Sequence, residues 1–172
     1  MKKILFVALL ALASVMAYAQ PRAIGVNLGG GIGFSYQHGF GESNMLDLAA
    51  YTPIAVGRGQ LWGLGATITY DWIDPFGATV PWNEKGEWHW YMGVGGDGGV
   101  FFPYAGERFG AGWVGAAGHI GIEYDFWFPF QLSIDWRPSI GVSLVGADGF
   151  VHADFNKGGL YQGITLGVRY KF

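Results

Sequence analysis

The sequence predicts an all-β fold: an eight-stranded antiparallel up-and-down transmembrane β-barrel. Large apolar residues alternate along the chain with small or polar ones, as in strands whose two faces meet different surroundings. Charged residues make up 13% of the chain, against about 25% in a typical soluble domain, and aromatic residues make up 17%. Beyond position 19 no stretch is apolar enough for a spanning helix. A closed barrel is the other structure that pairs every backbone group inside a bilayer.

The first residues have the pattern of a cleaved export signal. Lys2 and Lys3 precede an apolar run from Ile4 to Val15, and Ala17–Ala19 supplies small residues for cleavage. The run is shorter than the roughly 20 residues of a spanning helix. We therefore expect residues 1–19 to be a signal peptide and residues 20–172 to form one barrel domain. Loss of Lys2 and Lys3 would change the formal net charge from −3 to −5.

The first three predicted strands are separated by short turns. Ala23–Leu28 and Gly31–Gln37 each place their large apolar residues on one parity. Gly29–Gly31 predicts a tight turn between them, although one long strand with a glycine bend is an alternative. After a turn at His38–Ser43, the alternation resumes over Leu46–Tyr51 as a third strand.

The middle of the chain supplies three longer strands. Trp62–Trp72 is the clearest, because large apolar residues alternate with glycine, threonine and aspartate. Trp88–Asp97 and Val114–Phe126 follow the same pattern. The connections predicted around these strands are Pro53–Gln60, Asp74–Glu87 and Pro103–Gly112.

Two strands complete the predicted barrel. After a short turn at Trp127–Pro129, Phe130–Leu144 alternates throughout, and Pro138 within it costs one ladder hydrogen bond. A loop at Val145–Gly158 then leads to Leu160–Phe172, whose apolar parity ends on an aromatic residue. We expect this last strand to close the barrel against the first.

The even strand number predicts which connections share one side of the membrane. Single-chain outer-membrane barrels have an even number of strands, short periplasmic turns and longer outer loops. With both chain ends in the periplasm, the turns at His38–Ser43 and Trp127–Pro129 lie inside, and the loops Pro103–Gly112 and Val145–Gly158 lie outside. Asp74–Glu87 falls on the periplasmic side and is long for a turn there.

The composition of the two faces indicates which one meets lipid. The apolar parity carries most of the tryptophans and is too bulky for a narrow lumen, whereas the other parity holds small residues and charges of both signs. An eight-stranded barrel is just wide enough to be filled by side chains, so its inward charges must pair. We predict a structural lumen network of Asp71, Asp97, His119, Glu123, Asp135, Arg137, Arg169 and Lys171. A polar path or a small-ligand site is the alternative.

These features resemble the small outer-membrane β-barrel proteins of Gram-negative bacteria, the eight-stranded OmpA/OmpX-like group. The signal peptide, the short strands and the terminal Tyr170-Lys171-Phe172 carry the resemblance, and Gly118–Tyr124 with Gln131–Pro138 is similar to a segment of one uncharacterised subgroup. The resemblance implies a location in the cell outer membrane, contact with its lipid, and insertion by the barrel-assembly machinery after escort by periplasmic chaperones. Tyr170 and Phe172 are similar to the assembly signal. No particular activity is implied.

The sequence offers little support for catalysis or for a cofactor. His89 and His119 are inward by parity, but Ser133, Ser139 and Ser143 belong to a different strand. His119 and Glu123 are four residues apart, roughly 13 Å by strand rise, which is too far to share a metal ion. The glycines of Gly93–Gly99 lack the GK[ST] and helix of a phosphate loop. We therefore expect no enzyme, no metal and no cofactor.

The expected function is a structural or surface-interaction role. The chain has no basic patch, which argues against nucleic acid as a partner. An extracellular partner would meet the loops Pro103–Gly112 and Val145–Gly158. Two alternatives stay open: a small, porin-like pore or binding barrel for a small or apolar molecule, and a lipid-modifying enzyme of the outer membrane.

Overall fold

A computed structural model describes residues 22–29, 31–53, 62–74, 85–102, 109–147, 150–156 and 164–172. In these residues every regular element is a β-strand. No helix in this part of the chain is long and apolar enough to cross a membrane. The predicted signal peptide, positions 54–61 and positions 103–108 lie outside the described residues.

Ten strand segments make up a barrel of eight strands. We call each of the eight a stave, because two of them consist of two segments each. The segments are β1 (Arg22–Gly29), β2 (Gly31–Gly39), β3 (Asn44–Pro53), β4 (Trp62–Ile73), β5 (Gly86–Phe102), β6 (Phe109–Phe126), β7 (Phe130–Trp136), β8 (Ser139–Ala147), β9 (Phe150–Asn156) and β10 (Ile164–Lys171). β7 and β8 both pair with β6 and form the seventh stave. β9 pairs with β8, and β10 pairs with β7, so together they form the eighth.

The sheet is closed and wholly antiparallel. Each stave pairs with the next along the chain, and β10 returns to β1 in a register that runs from Ala23–Lys171 to Gly29–Thr165. This confirms the predicted up-and-down barrel and its closure by the terminal strand against the first. We call the end that holds Ala23 and Lys171 the terminal end and the opposite end the distal end.

Glycines form the tight turn between the first two staves. β1 ends at Gly29, β2 begins at Gly31, and Leu28 pairs with Ile32 across the turn. The turn interpretation of Gly29–Gly31 is therefore right, and the alternative of one bent strand is wrong.

Pro138 divides the seventh stave without shifting its register. Trp136 pairs with Ile120 and Ser139 pairs with Ala117, so both halves follow β6 in one continuous alignment. The Gly118 N–H donates to the Pro138 carbonyl at 2.8 Å. Proline has no N–H with which to donate a hydrogen bond back to Gly118. The ladder is therefore interrupted where the sequence predicts the lost hydrogen bond.

Two predicted loops are partly strand. The sequence predicts a loop at Val145–Gly158, but β8 continues to Ala147 and Phe150–Asn156 forms β9 in a hairpin with it. Within Pro103–Gly112, the residues from Phe109 onward belong to β6 and pair with β8. Cross-strand hydrogen bonds explain both differences, because the neighbouring strands are long enough to pair these segments. The missed signal is a period of two in which Val151, Ala153 and Phe155 alternate with His152, Asp154 and Asn156.

The barrel is inside-out compared with a soluble domain. Among the described residues, fifteen polar or charged residues are buried, whereas only five apolar residues are buried. Outward positions along each stave stay exposed, such as Ile68 at 50%, Ile134 at 53% and Leu166 at 54%. The observed faces therefore agree with the prediction that the small and polar residues face the lumen and the large apolar residues face the exterior.

Candidate functional site

The middle of the lumen is filled by a cluster of charged side chains that we call the central belt. Its members are Asp47, Asp71, His119, Asp135, Arg137 and Arg169. Asp47, Asp71 and His119 are 0% exposed, and Asp135 and Arg169 are 1% exposed. Charges buried to this degree must be paired and hydrogen-bonded.

Arg169 connects staves from opposite sides of the barrel. The Arg169 guanidinium donates hydrogen bonds to five side chains. They are Ser35 on β2 at 2.8 Å, Asn27 on β1 at 3.3 Å, and Ser133 at 2.7 Å, Gln131 at 3.3 Å and Asp135 at 3.5 Å on β7. A carboxylate oxygen of Asp47, on β3, lies 3.8 Å from Arg169 Nη2. All three guanidinium nitrogens therefore donate, and this one side chain links β10 to β1, β2 and β7.

Arg137 forms the second cationic centre of the belt. Its Nη1 donates to Asp47 at 2.7 Å and to Thr67 at 3.3 Å, and its Nη2 lies 3.8 Å from Asp135. Asp47 thus lies between two guanidiniums and is the charged residue that the predicted network lacks. With Asp71 and Asp135, the belt has three carboxylates against two guanidiniums.

His119 completes the belt between two carboxylates. Its Nδ1 is 2.9 Å from Asp71, and its Nε2 is 3.5 Å from Asp135. The Thr69 hydroxyl donates to Asp71 at 3.2 Å and also lies 3.2 Å from His119 Nδ1. The ring of Tyr91, from β5, packs at a centroid distance of 4.9 Å, so all eight staves contribute to or contact the belt.

Thr69, His119 and Asp71 do not have the geometry of a nucleophilic triad. A triad uses one imidazole nitrogen for the nucleophile and the other for the acid. Here Thr69 and Asp71 both meet Nδ1, and all three side chains are at most 1% exposed. Among the described residues, no group of three or more acidic, histidine or cysteine side chains is arranged to hold a metal ion. The belt is built for pairing charge.

Inward glycines make the room that the belt needs. A Cβ at Gly93 would collide with the carboxylate of Asp71, and a Cβ at Gly121 would collide with the Tyr91 hydroxyl. Each of these glycines lies directly across from a large inward side chain of the neighbouring stave, as Gly93 does from Asp71. Glycine within a strand allows such close approach, and this accounts for part of the glycine content.

A second group of charges lies toward the terminal end. Lys171 Nζ donates to Asp125 at 2.7 Å, and His89 Nδ1 lies 2.7 Å from Asp74. Both pairs are partly exposed, with side-chain exposures between 19% and 31%. Glu123 lies between this group and the belt and is 4% exposed.

A third polar group lies in the distal half of the lumen. Asp97 is 8% exposed and accepts hydrogen bonds from the Tyr51 hydroxyl at 2.8 Å and from Trp113 Nε1 at 3.1 Å. No prediction from the sequence connected these two aromatic residues to Asp97.

The residues of the predicted lumen network therefore lie at three different heights along the barrel axis. The structure brings His119, Asp71, Asp135, Arg137 and Arg169 together in one cluster. It leaves Lys171 and Glu123 toward the terminal end and Asp97 toward the distal end. Tyr170 and Phe172, the predicted assembly signal, point outward with 46% and 62% exposure.

The fold is similar to that of a known outer-membrane protein. The chain matches the crystal structure of a major outer membrane protein from Thermus thermophilus with a TM-score of 0.56 and 13% sequence identity, over 90% of this chain and 100% of that one. No protein-family model matches the sequence, and no curated protein does. At this identity the likeness concerns the fold alone. The chain is thus an eight-stranded antiparallel barrel with the architecture of a small outer-membrane β-barrel.

Proposed function

We propose that this protein is an integral outer-membrane barrel with a closed lumen and a structural or surface-interaction role. The central belt carries this proposal. Its side chains come from opposite walls, meet within hydrogen-bonding distance and are almost fully buried. Such an arrangement holds the staves together and leaves no open path at that level.

The exterior supports a position in a lipid bilayer. Its large side chains are apolar and exposed along every stave, and aromatic rings gather at the terminal end. A continuous row of rings, with centroids 4.8–6.0 Å apart, includes Trp88, Tyr124, Phe126, Trp127, Phe128, Phe130 and Tyr170. Aromatic girdles of this kind mark the interface between lipid and water. The outer membrane is therefore the compartment that we propose.

The terminal end is proposed to face the periplasm. Two of its connections, Phe40–Ser43 and Trp127–Pro129, are short, as periplasmic turns are. The distal end would then face outward, where the β8–β9 hairpin extends beyond the turn at Gly29–Gly31 and offers a surface for an extracellular partner.

Planar-bilayer recording tests the closed lumen. We expect the purified protein to insert without the steady conductance steps of an open pore, because the belt fills the lumen. The double variant Asp47→Ala/Arg137→Ala should conduct more often, since it shortens two facing side chains. Heat-modifiable migration on gels verifies that this variant is folded before it is recorded. Steady open-pore steps from the wild type would favour a pore instead.

The last residue is proposed to be an assembly signal read by the barrel-assembly machinery. Deletion of Phe172 should lower the amount of folded protein in the outer membrane severalfold, whereas Lys171→Leu should leave assembly nearly unchanged. Phe172 is 62% exposed and belongs to no internal cluster, so its deletion removes little packing. Heat-modifiable migration on gels measures the folded fraction. Equal assembly of both variants would contradict a role for the terminal aromatic.

A further inference from the structure

We propose that the distal half of the lumen holds a binding site for a small organic cation, formed by the Asp97 carboxylate and the rings of Tyr51, Phe101 and Trp113. We call this group the distal site. The distal site lies on the distal side of the central belt. The proposal therefore does not depend on whether ions can pass the belt.

Asp97 is a buried carboxylate that is held by two neutral hydrogen-bond donors among the described residues. Its two oxygens accept from the Tyr51 hydroxyl at 2.8 Å and the Trp113 indole N–H at 3.1 Å, and both donors are neutral. The ion pairs found among the described residues do not include Asp97. A carboxylate that is 8% exposed in these surroundings favours a cation beside it.

The lumen as a whole carries an excess of acidic groups. Its described carboxylates are Asp47, Asp71, Asp97, Glu123, Asp125 and Asp135, and its guanidinium and ammonium groups are Arg137, Arg169 and Lys171. The belt pairs Arg137 and Arg169 with its own carboxylates, and Lys171 pairs with Asp125. The described lumen groups therefore carry a net negative charge, which favours a cation over an anion in the lumen.

The three rings of the distal site give it a preference for an organic ammonium ion. Phe101 and Trp113 pack at a centroid distance of 4.8 Å with an interplanar angle of 37°. Tyr51, Phe101 and Trp113 are all of intermediate exposure, so part of each ring is accessible. Aromatic faces attract ammonium groups, and an aromatic wall with a carboxylate is the usual composition of a site for methylated ammonium ions.

Glycines allow the rings of the distal site to pack directly against the barrel wall. A Cβ at Gly65 would lie 2.6 Å from Tyr51 Cζ and 2.9 Å from Trp113 Cζ2, and a Cβ at Gly99 would collide with the Trp113 ring. The two rings therefore lie against the wall of the barrel. The next two staves present Gly115 and Gly141, which pair with each other and carry no side chain into the lumen.

Choline is a suitable probe, and 3,3-dimethylbutan-1-ol is its neutral isostere. We expect calorimetric titration of the full protein, folded in maltoside micelles without phosphatidylcholine, to show choline binding about tenfold tighter than the isostere. Asp97→Asn should remove that tenfold preference, because its amide oxygen can still accept from Trp113 Nε1 and its NH2 can donate to the Tyr51 hydroxyl oxygen, but the charge is gone. Trp113→Leu should weaken choline binding about as much.

Asp74→Asn is the matched control, because it removes the same charge at the terminal end. It should bind choline as the wild type does. Heat-modifiable migration verifies that each variant is folded. Choline binding that is unchanged in Asp97→Asn, or equal to that of the neutral isostere, would overturn the proposal. Tighter binding of acetate than of choline would also overturn it, since the site would then select anions.

Discussion

Replacement of Arg169 by methionine should lower the free energy of unfolding by about 3–5 kcal/mol, because it leaves the buried carboxylates of Asp47 and Asp135 with one guanidinium instead of two. Arg169 is 1% exposed and donates to side chains of three other staves. Methionine is similar in length but donates no hydrogen bond, so Ser35, Asn27 and Asp135 would lose a partner together. Urea titration of the protein folded in lipid vesicles, followed by tryptophan fluorescence, measures the change.

Two further variants separate the role of charge from that of geometry. Arg169→Lys keeps the charge but lacks the planar fork that reaches several acceptors at once, so it should recover part of the loss. Lys171→Gln is the control, because the pair of Lys171 with Asp125 is partly exposed and exposed pairs contribute about 1 kcal/mol or less. An equally small effect of Arg169→Met and Lys171→Gln would show that the belt does not hold the barrel together.

Strand faces could be predicted because the exterior and the lumen select different side chains at alternate positions. The alternation from Leu64 to Trp72 matches exposed and buried positions one by one. Pro138 could be placed for a similar reason, since a missing N–H interrupts any ladder that contains it. Such signals are local and need no knowledge of the neighbouring strand.

The partners of the inward charges could not be predicted, because they depend on register and on the height at which each strand crosses the lumen. Arg169 and Ser35 are 134 positions apart, and Arg137 and Asp47 are 90 apart. Trp113 reaches Asp97 because β5 and β6 are long, and both strands extend beyond the ends that the alternation predicts. β9 was missed in a comparable way, since Asn156 aligns with Gly141 whereas Ile164 aligns with Trp136. The alternation within β9 is intact, but this offset puts it out of phase with the alternation of β10.

Replacement of Leu166 by arginine should cost about 1–3 kcal/mol of folding free energy in a bilayer, as expected for a cation on the lipid face between the midplane and the interface. Leu166 is 54% exposed, and its cross-strand neighbours are Leu28 on β1 and Ile134 on β7. A half-exposed side chain leaves no cavity, so the same change on a water-exposed surface would fall within about 0.5 kcal/mol. Ser43→Arg, in the exposed turn between β2 and β3, is the charge-matched control and should have little effect. Urea titration in vesicles compares the two variants. A small effect of Leu166→Arg, equal to that of Ser43→Arg, would mean that this face meets water, and the membrane assignment would then fail.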